Sequence, residues 1–350
     1  MEENKSPAIH RMGVVFGKVM LFLLETLLLL SIALYGLMFV LAKGPSPTAR
    51  DLFVRSVRET SAVGFLANLY FTEEEIAAIE GTAEDIYEET DTSLITIAQS
   101  ETTEGADAWG LVDEDGDGII LETVKGEGYT GYMMVVLDPS RVILGTVPES
   151  YGVRGYTVEE MCAEFDAVAG INAGGFFDEN GRGNGSAPIT MVAFEGKVYY
   201  PGRGSWNGFV GIDDKHILHV GKMKARDLEE KNIQYGVGFG PMLIVNGEVV
   251  LSDRNPGGLN PRTAIGQRAD GAMLLLVVDG RQAYSIGCTL RELCDIFLEY
   301  GAVNAYNLDG GSSTLMWYED AYVNNCASVV GIRPVPTAFI VLKEGVVQDD

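Results

Sequence analysis

Two aspartates occupy equivalent positions at the ends of short apolar segments, where a carboxylate is able to do acid–base chemistry. Met273 to Val278 (MLLLVV) has the length and composition of a buried strand and ends at Asp279. Val303 to Leu308 ends in the same way at Asp309. A single Asp-Gly pair is more often a turn, so the catalytic interpretation depends on the two equivalent positions.

The elements between the two aspartates predict how they are placed. Thr289 to Glu292 forms a capping box, which begins a helix that ends near Gly301. A strand–helix–strand crossover predicts parallel strands whose carboxyl ends share one edge of a sheet. At about 4.8 Å per strand, the carboxyl groups of Asp279 and Asp309 are expected to lie roughly 5 to 10 Å apart. That separation covers the carboxylate pairs of glycoside hydrolysis.

Glycine-rich turns follow two of the predicted strands. The turn after Asp309 offers exposed amides and two hydroxyls, and we predict it as an anion cradle; its residues are Gly310, Gly311, Ser312 and Ser313. An earlier capping box at Thr157 leads to a strand that ends at Asn172, followed by Gly174 and Gly175. We predict Asn172 and Gly175 as further substrate contacts, although Asn172 alone would more often be a turn former.

Loop arginines are the second group of candidate phosphate ligands. They lie in Gly-, Pro- or Asn-rich segments of an acidic chain: Arg203, Arg254, Arg262, Arg281 and Arg333. We favour Arg262 and Arg281, because a guanidinium binds phosphate in bidentate fashion. The alternative for each is a surface arginine that balances neighbouring acids.

Composition excludes several classes of function. The chain has 350 residues, with 50 Asp plus Glu against 25 Lys plus Arg, for a formal charge of -25. Such a surface repels a phosphate backbone, which argues against nucleic-acid partners. Four cysteines are too few for a disulfide scaffold, and three histidines make a histidine-based triad improbable. A nucleophile elbow, a P-loop and a complete dinucleotide fingerprint are all absent from the sequence.

The N-terminal part of the chain has the pattern of a membrane anchor. After a short tail (residues 1–18), Val19 to Ala42 is apolar apart from Glu25. A helix of that length extends about 36 Å, enough to cross a bilayer core of about 30 Å. A cleaved signal peptide is the alternative, but the apolar run is too long for one. The flanking positive charges are nearly balanced; we expect the N-terminus inside and the C-terminal domain outside.

The rest of the chain divides into two parts by composition. Residues 43–118 predict juxtamembrane helices and an acidic linker, and residues 119–345 predict a domain of strands and turns. Asn246-Gly247 and Glu195-Gly196 are hairpin signals within that domain. We therefore predict an α+β fold, with a mixed β-sheet core, a few helices and many hairpins, preceded by one transmembrane helix.

Metal and cofactor signals are weak. Asp113, Asp115 and Asp117 match the first half of an EF-hand loop, but Val124 occupies the position of the bidentate glutamate. A solvated acidic turn is the favoured interpretation. His216 and His219 are predicted on opposite faces of a strand, which argues against a metal pair. The sequence requires no cofactor, and a divalent cation is compatible with it but unsupported.

Five segments together resemble the phosphodiester glycosidase family, of the uncovering-enzyme type. They appear in the family's order over residues 130 to 342: Ile171 to Asp178, Gly238 to Pro241, Pro261 to Gly266, Val278 to Arg281, and Asn307 to Thr314. Ala173 replaces a glycine that is common in the first motif, and Cys288 stands where Met or Leu is usual. Neither change removes a candidate acid, base or cation.

The resemblance implies that the chain hydrolyses a sugar-1-phosphodiester, in cell-envelope or exopolysaccharide glycan metabolism. Asp279 and Asp309 would then be the carboxylate pair, and Arg262, Arg281 and the Gly310 to Ser313 turn would hold the phosphate. The anchor and linker resemble those of Gram-positive bacterial members, with the domain outside the membrane. The alternative is a membrane-anchored carbohydrate-binding protein of the cell envelope without turnover.

Overall fold

The computed structural model describes residues 7–60, 62–81, 89–97, 106–178, 183–201, 208–253 and 256–345. The helices are α1 (Pro7–Lys43), α2 (Pro47–Arg58), α3 (Phe65–Asn68), α4 (Glu73–Glu80), α5 (Val158–Glu164), α6 (Ala225–Glu230) and α7 (Leu290–Glu299). The strands are β1 (Ile119–Gly126), β2 (Tyr129–Val136), β3 (Val142–Thr146), β4 (Ala167–Asn172), β5 (Met191–Phe194), β6 (Lys197–Pro201), β7 (Phe209–Asp213), β8 (Leu218–Gly221), β9 (Ile233–Gly238), β10 (Met242–Val245), β11 (Glu248–Val249), β12 (Arg262–Arg268), β13 (Met273–Val278), β14 (Ala302–Asn307), β15 (Met316–Tyr318), β16 (Ala321–Tyr322) and β17 (Thr337–Leu342). Arg203, Arg254 and much of the predicted linker lie outside the described residues.

The predicted apolar anchor is part of a single long helix. Helix α1 has 37 residues, and its apolar stretch, Gly13–Lys43, is long and apolar enough to cross a bilayer. Its apolar side chains are exposed rather than buried against the protein, as expected of a helix that has no place in a soluble core. A signal sequence near the N-terminus can meet the same criteria of helix length and hydropathy, so the anchor and its orientation stay predictions.

Three short helices follow α1 and fold against its end. Ser46 caps α2, and Thr72 begins α4 with a capping box. Apolar side chains from these helices and the end of α1 form a small buried cluster: Ala42, Val54, Ala67, Phe71, Ile76 and Ile79. Tyr70 also packs back along α1, where its ring lies 5.5 Å from that of Tyr35. The helical segment predicted from Thr48 to Asn68 is therefore two helices, α2 and α3.

Three antiparallel sheets build the rest of the molecule and confirm the α+β prediction. Their strand orders are β1-β2-β13-β12-β14-β10-β11, β16-β15-β4-β17-β3 and β6-β5-β9-β7-β8. The central core lies between them, because it includes Val277 from the first sheet, Phe339 from the second and Val210 from the third. Helix α7 covers the outer face of the first sheet, and α5 covers that of the second.

One strand separates the two that precede the aspartates. Strand β12 is antiparallel to both β13 and β14, so β13 and β14 run parallel without being neighbours. Their carboxyl ends do share one edge of the sheet, as predicted. Ala264 pairs with both Leu276 and Asn307, which aligns Asp279 with Gly310 rather than with Asp309. Successive residues of a strand point their side chains to opposite faces of the sheet. Because Asp279 and Asp309 are offset by one residue, an extended chain would point their side chains to opposite faces.

Candidate active site

Among the described carboxyl groups, Asp309 has a pKa that its surroundings raise strongly. It is partly exposed and lies just beyond β14, where its backbone N–H donates to the carbonyl of Ala173 at 2.9 Å. Burial raises the pKa of Asp309 to about 7, and the charge of Asp178 adds to the increase. Hydrogen bonding by Ser313 and the charge of Arg333 oppose it. Asp309 can therefore give or take a proton near neutral pH, which is the property of a general acid or base.

Arg333 and Asp178 lie beside Asp309, and the sequence analysis did not select either of them. A guanidinium nitrogen of Arg333 lies 2.6 Å from Asp178 Oδ1, and another donates to the Ser312 hydroxyl at 2.9 Å. The guanidinium also stacks over the ring of Phe176, 4.9 Å from its centroid. Its Nε is buried and has no hydrogen-bond partner among the described residues. Buried donors are normally satisfied, so this N–H is suited to an anionic ligand.

Asp279 is held differently from Asp309 and is fully enclosed, with 0% exposure. Its carboxylate accepts hydrogen bonds from the Tyr284 hydroxyl at 2.7 Å, from Asn324 Nδ2 at 3.0 Å and from the Asn325 backbone N–H at 3.1 Å. The Asp279 carboxylate is thus occupied by three donors of the protein, whereas Asp309 is partly exposed. Asp279 instead fixes the turn that carries Tyr284 and the loop that begins at Asn324.

The glycine-rich turn after Asp309 has a compact backbone, and its role as an anion cradle stays a prediction. Gly311 has φ +62 and donates its N–H to the carbonyl of Pro261 at 2.9 Å. An added Cβ on Gly310 would lie 2.7 Å from the same carbonyl oxygen, so a side chain does not fit there. The Ser312 hydroxyl accepts a hydrogen bond from Arg333, and the Ser313 side chain forms a hydrogen bond with the Asp309 carboxylate. The turn therefore connects the acid to the arginine.

Asn172 and Gly175 support this turn from the neighbouring sheet. Asn172 is fully buried; it accepts from the Thr263 hydroxyl at 2.8 Å and donates to the Asp309 carbonyl at 2.5 Å. A Cβ on Gly175 would lie 2.8 Å from the Phe239 ring. Both residues are enclosed by protein, so they position the site and do not offer a free surface to a substrate.

Arg262 and Arg281 differ in what they contact. Arg262 is 8% exposed in its side chain, and its guanidinium pairs with Glu59 at 2.7 Å. This partner lies just after α2, and it occupies the place where a phosphate was predicted. Arg281 is exposed, with φ +58, and donates to the Thr60 hydroxyl at 2.8 Å and to Asn260 Oδ1 at 2.9 Å. The Arg281 guanidinium is therefore held by two neutral acceptors, whereas Arg262 has a counter-ion.

The acidic turn, His219 and the four cysteines are all among the described residues. Ligand atoms of Asp113, Asp115 and Asp117 lie within 4.8 Å of one another. Asp113 accepts from two backbone amides of its own turn, as in the predicted acidic turn. His219 pairs with Asp213 at 2.9 Å. All four cysteines are free thiols.

The sequence contained signals for the residues that it did not single out. Asp178 closes the motif that begins at Ile171, a few residues after a Gly-Gly turn like the one that follows Asp309. Arg333 was one of the five loop arginines. What the sequence does not show is that the loop before Arg333 returns to the edge of β14.

Comparison with known proteins identifies the domain. The family model for the phosphodiester glycosidases matches residues 165–342, just over half of the chain. The chain is 29% identical over 218 residues to the SPβ prophage-derived uncharacterized protein YomE of Bacillus subtilis (strain 168), covering 58% of this chain and 31% of that protein. It is 29% identical over 212 residues to human N-acetylglucosamine-1-phosphodiester α-N-acetylglucosaminidase, covering 54% of this chain and 40% of the enzyme.

Solved structures agree on the fold. The catalytic domain of the zebrafish N-acetylglucosamine-1-phosphodiester α-N-acetylglucosaminidase, described as auto-inhibited by its pro-peptide, superposes with a TM-score of 0.53 at 19% identity. The match covers 65% of this chain and 82% of that domain. The chain spans between about a third and two fifths of the length of the curated relatives above. It belongs to the phosphodiester glycosidase family.

Proposed function

We propose that this protein is a membrane-anchored hydrolase that cleaves a sugar-1-phosphodiester of a cell-envelope or exopolysaccharide glycan, with residues 119–345 as its catalytic domain outside the cytoplasm. The observation that supports turnover is the group around Asp309. A carboxyl group with a pKa near 7 lies beside a buried guanidinium with a spare N–H and beside a turn that carries two hydroxyls. A binding site for a neutral glycan has no use for such a combination.

The chemistry assigned to these residues is substitution at the anomeric carbon. Water attacks C1, the C1–O bond breaks, and its electron pair stays on the oxygen of the departing phosphate. Arg333 and Arg281 stabilise the charge that gathers on that phosphate. Asp309 moves the proton, either from the attacking water or to the phosphate oxygen.

Asp178 and Asp279 have supporting roles in this proposal. Asp178 is the second carboxylate near Asp309; it holds Arg333 and keeps the pKa of Asp309 raised. Asp279 is a positioning residue, because its enclosed carboxylate reaches the substrate side only through Tyr284. Asn172 fixes the Asp309 backbone. The pair of acids at the site is thus Asp309 with Asp178, and not Asp309 with Asp279.

The test is sugar release with an isotope label. The full-length chain in detergent micelles is incubated with an aryl sugar-1-phosphodiester in water enriched in ¹⁸O. A phosphodiester glycosidase places the ¹⁸O on the sugar, because the C1–O bond breaks, and releases an aryl phosphate. Label in the phosphate would identify a phosphodiesterase instead. Saturable binding without release would establish the non-catalytic carbohydrate-binding protein.

A further inference from the structure

A loop with exposed apolar side chains connects two residues that contact the candidate site, Asn325 and Arg333. Residues 326–332, which we call the mouth loop, have the sequence CASVVGI. Both ends are attached to site residues, since Asn325 donates to Asp279 and Arg333 pairs with Asp178. In its middle, Val329 is 102% exposed, Val330 66% and Ile332 42%. Isolated exposed valines are ordinary, but an apolar run held at a polar site indicates a partner.

A second set of exposed apolar side chains lies on the turn after β13. Tyr284 and Ile286 are both half exposed. The Tyr284 hydroxyl accepts from Asn325 Nδ2 at 2.7 Å and donates to Asp279 at 2.7 Å, so the turn and the mouth loop are joined. Exposed apolar side chains of the turn and of the mouth loop therefore lie next to the residues that contact Asp279 and Asp178.

The same edge of the sheet is tied to the membrane-proximal end of α1. Glu59 pairs with Arg262 and accepts from Asn260 Nδ2 at 2.9 Å, while Thr60 accepts from Arg281. The backbone approaches just as closely, because a Cβ on Gly258 would lie 2.3 Å from the Ser56 nitrogen. Helix α2 extends about 18 Å and the connectors on its two sides add at most about 17 Å, so Glu59 lies at most about 35 Å from the end of α1.

The geometry points to a lipid-linked sugar-1-phosphodiester as the substrate, with the mouth loop seated against its lipid. A lipid-linked substrate presents a sugar, a phosphate and a long hydrocarbon chain in that order. The site offers an acid, phosphate-binding groups and an apolar rim, close to where α1 leaves its apolar span. This inference rests on the proposed function and specifies the group on the far side of the phosphate.

The experiment compares two substrates with the full-length protein in phospholipid vesicles. Both carry the same sugar-1-phosphate; one is esterified to a long polyprenyl alcohol held in the vesicle and the other to methanol. The variant is Val329→Ser with Val330→Ser, two exposed positions where serine leaves the fold intact. The matched control is Leu298→Ser, an exposed position at the far end of α7.

We expect wild type to favour the lipid-linked substrate by at least about tenfold in kcat/KM. The double variant should lose roughly tenfold on that substrate, because two valines no longer lie against hydrocarbon. It should retain wild-type rates on the methyl ester, and Leu298→Ser should match wild type on both.

Several outcomes would overturn the lipid assignment while leaving the enzyme in place. These are a preference for the methyl ester, an equal loss on both substrates, or no loss on either. The last two would mean, respectively, that the mouth loop contacts the sugar and that it contacts nothing. Sugar release from neither substrate by wild type would instead refute the proposed function, and the lipid assignment with it.

Discussion

Glu59 and Arg262 form an ion pair at 2.7 Å between positions 203 residues apart in the chain. The pair joins the segment that follows the apolar helix to the first residue of β12. Strand β12 lies between the two strands whose ends carry Asp279 and Asp309. The segment that follows the apolar helix is therefore packed against the sheet that carries both aspartates.

Glu59→Gln should destabilise the protein by about 1–3 kcal/mol, because it leaves the Arg262 guanidinium enclosed without its counter-charge. The measurement is chemical denaturation of the full chain in detergent. Glu80→Gln is the control; it breaks the exposed pair with Arg58, and the expected change is below about 1 kcal/mol. Equal stability of the two variants would show that the Glu59 pair is no stronger than a surface contact.

Asp309→Asn should lower kcat at least about a hundredfold, the usual scale of acid–base assistance. The cause is the loss of the titrating proton, since Asn keeps the size and turn preference of Asp. Steady-state rates from pH 5 to 9 check this, and the pH dependence centred near the Asp309 pKa of about 7 should disappear in the variant. Wild-type rates in Asp309→Asn would remove Asp309 from the mechanism.

The raised pKa of Asp309 also makes the stability of the protein depend on pH. An aspartate titrates near 4 in an unfolded chain, but Asp309 titrates at about 7 in the folded protein. Between these values the folded state holds a proton that the unfolded state has lost, so this contribution to stability falls as the pH rises from 4 to 7. The Tm of Asp309→Asn relative to wild type should thus be more favourable at pH 8 than at pH 5. A difference that does not change with pH would contradict the raised pKa.

Asp279→Asn should cost about 1–3 kcal/mol of stability as well as activity. The Asp279 carboxylate accepts from three donors, and an amide would offer them one oxygen and an N–H₂ group in place of the second. Denaturation curves of Asp279→Asn and Tyr284→Phe provide the check. Tyr284→Phe removes one donor and leaves the acceptor intact, so it should be the milder change. An Asp279→Asn protein as stable as wild type would refute the positioning role.

The orientation of the chain can be tested with intact protoplasts. If α1 spans the membrane with its N-terminus inside, added protease should remove residues 43–350, because they lie outside. A tag fused ahead of residue 1 should stay protected and serves as the internal control. Full protection of the C-terminal domain would place the site in the cytoplasm.

Local patterns predicted much of the fold. The run Met273 to Val278 is β13 residue for residue, and Thr157 and Thr289 begin α5 and α7 with the expected capping boxes. Asn246-Gly247 joins β10 to β11 as predicted. In each case neighbouring residues determine the structure, through apolar content, side-chain caps or a backbone that tolerates positive φ.

Contacts between distant segments of the chain could not be predicted from the sequence. The insertion of β12 between β13 and β14 depends on which strands pair, and apolar content does not specify pairing. The burial of Asp279 depends on a loop that arrives 45 residues later, at Asn324. The ion pair of Arg262 could not be predicted from the sequence either, because its partner Glu59 lies in a different compositional region.

The strand orders also show that the part of the chain shared with the family is smaller than the part that folds. Strands β1 to β3 precede the family match, yet β2 pairs with β13 and β3 pairs with β17. Every residue of β13 and β17 is buried. A fragment of residues 165–342 would therefore expose two apolar strand edges and self-associate. Recombinant work on the matched region should therefore include β1 to β3 and begin before residue 106.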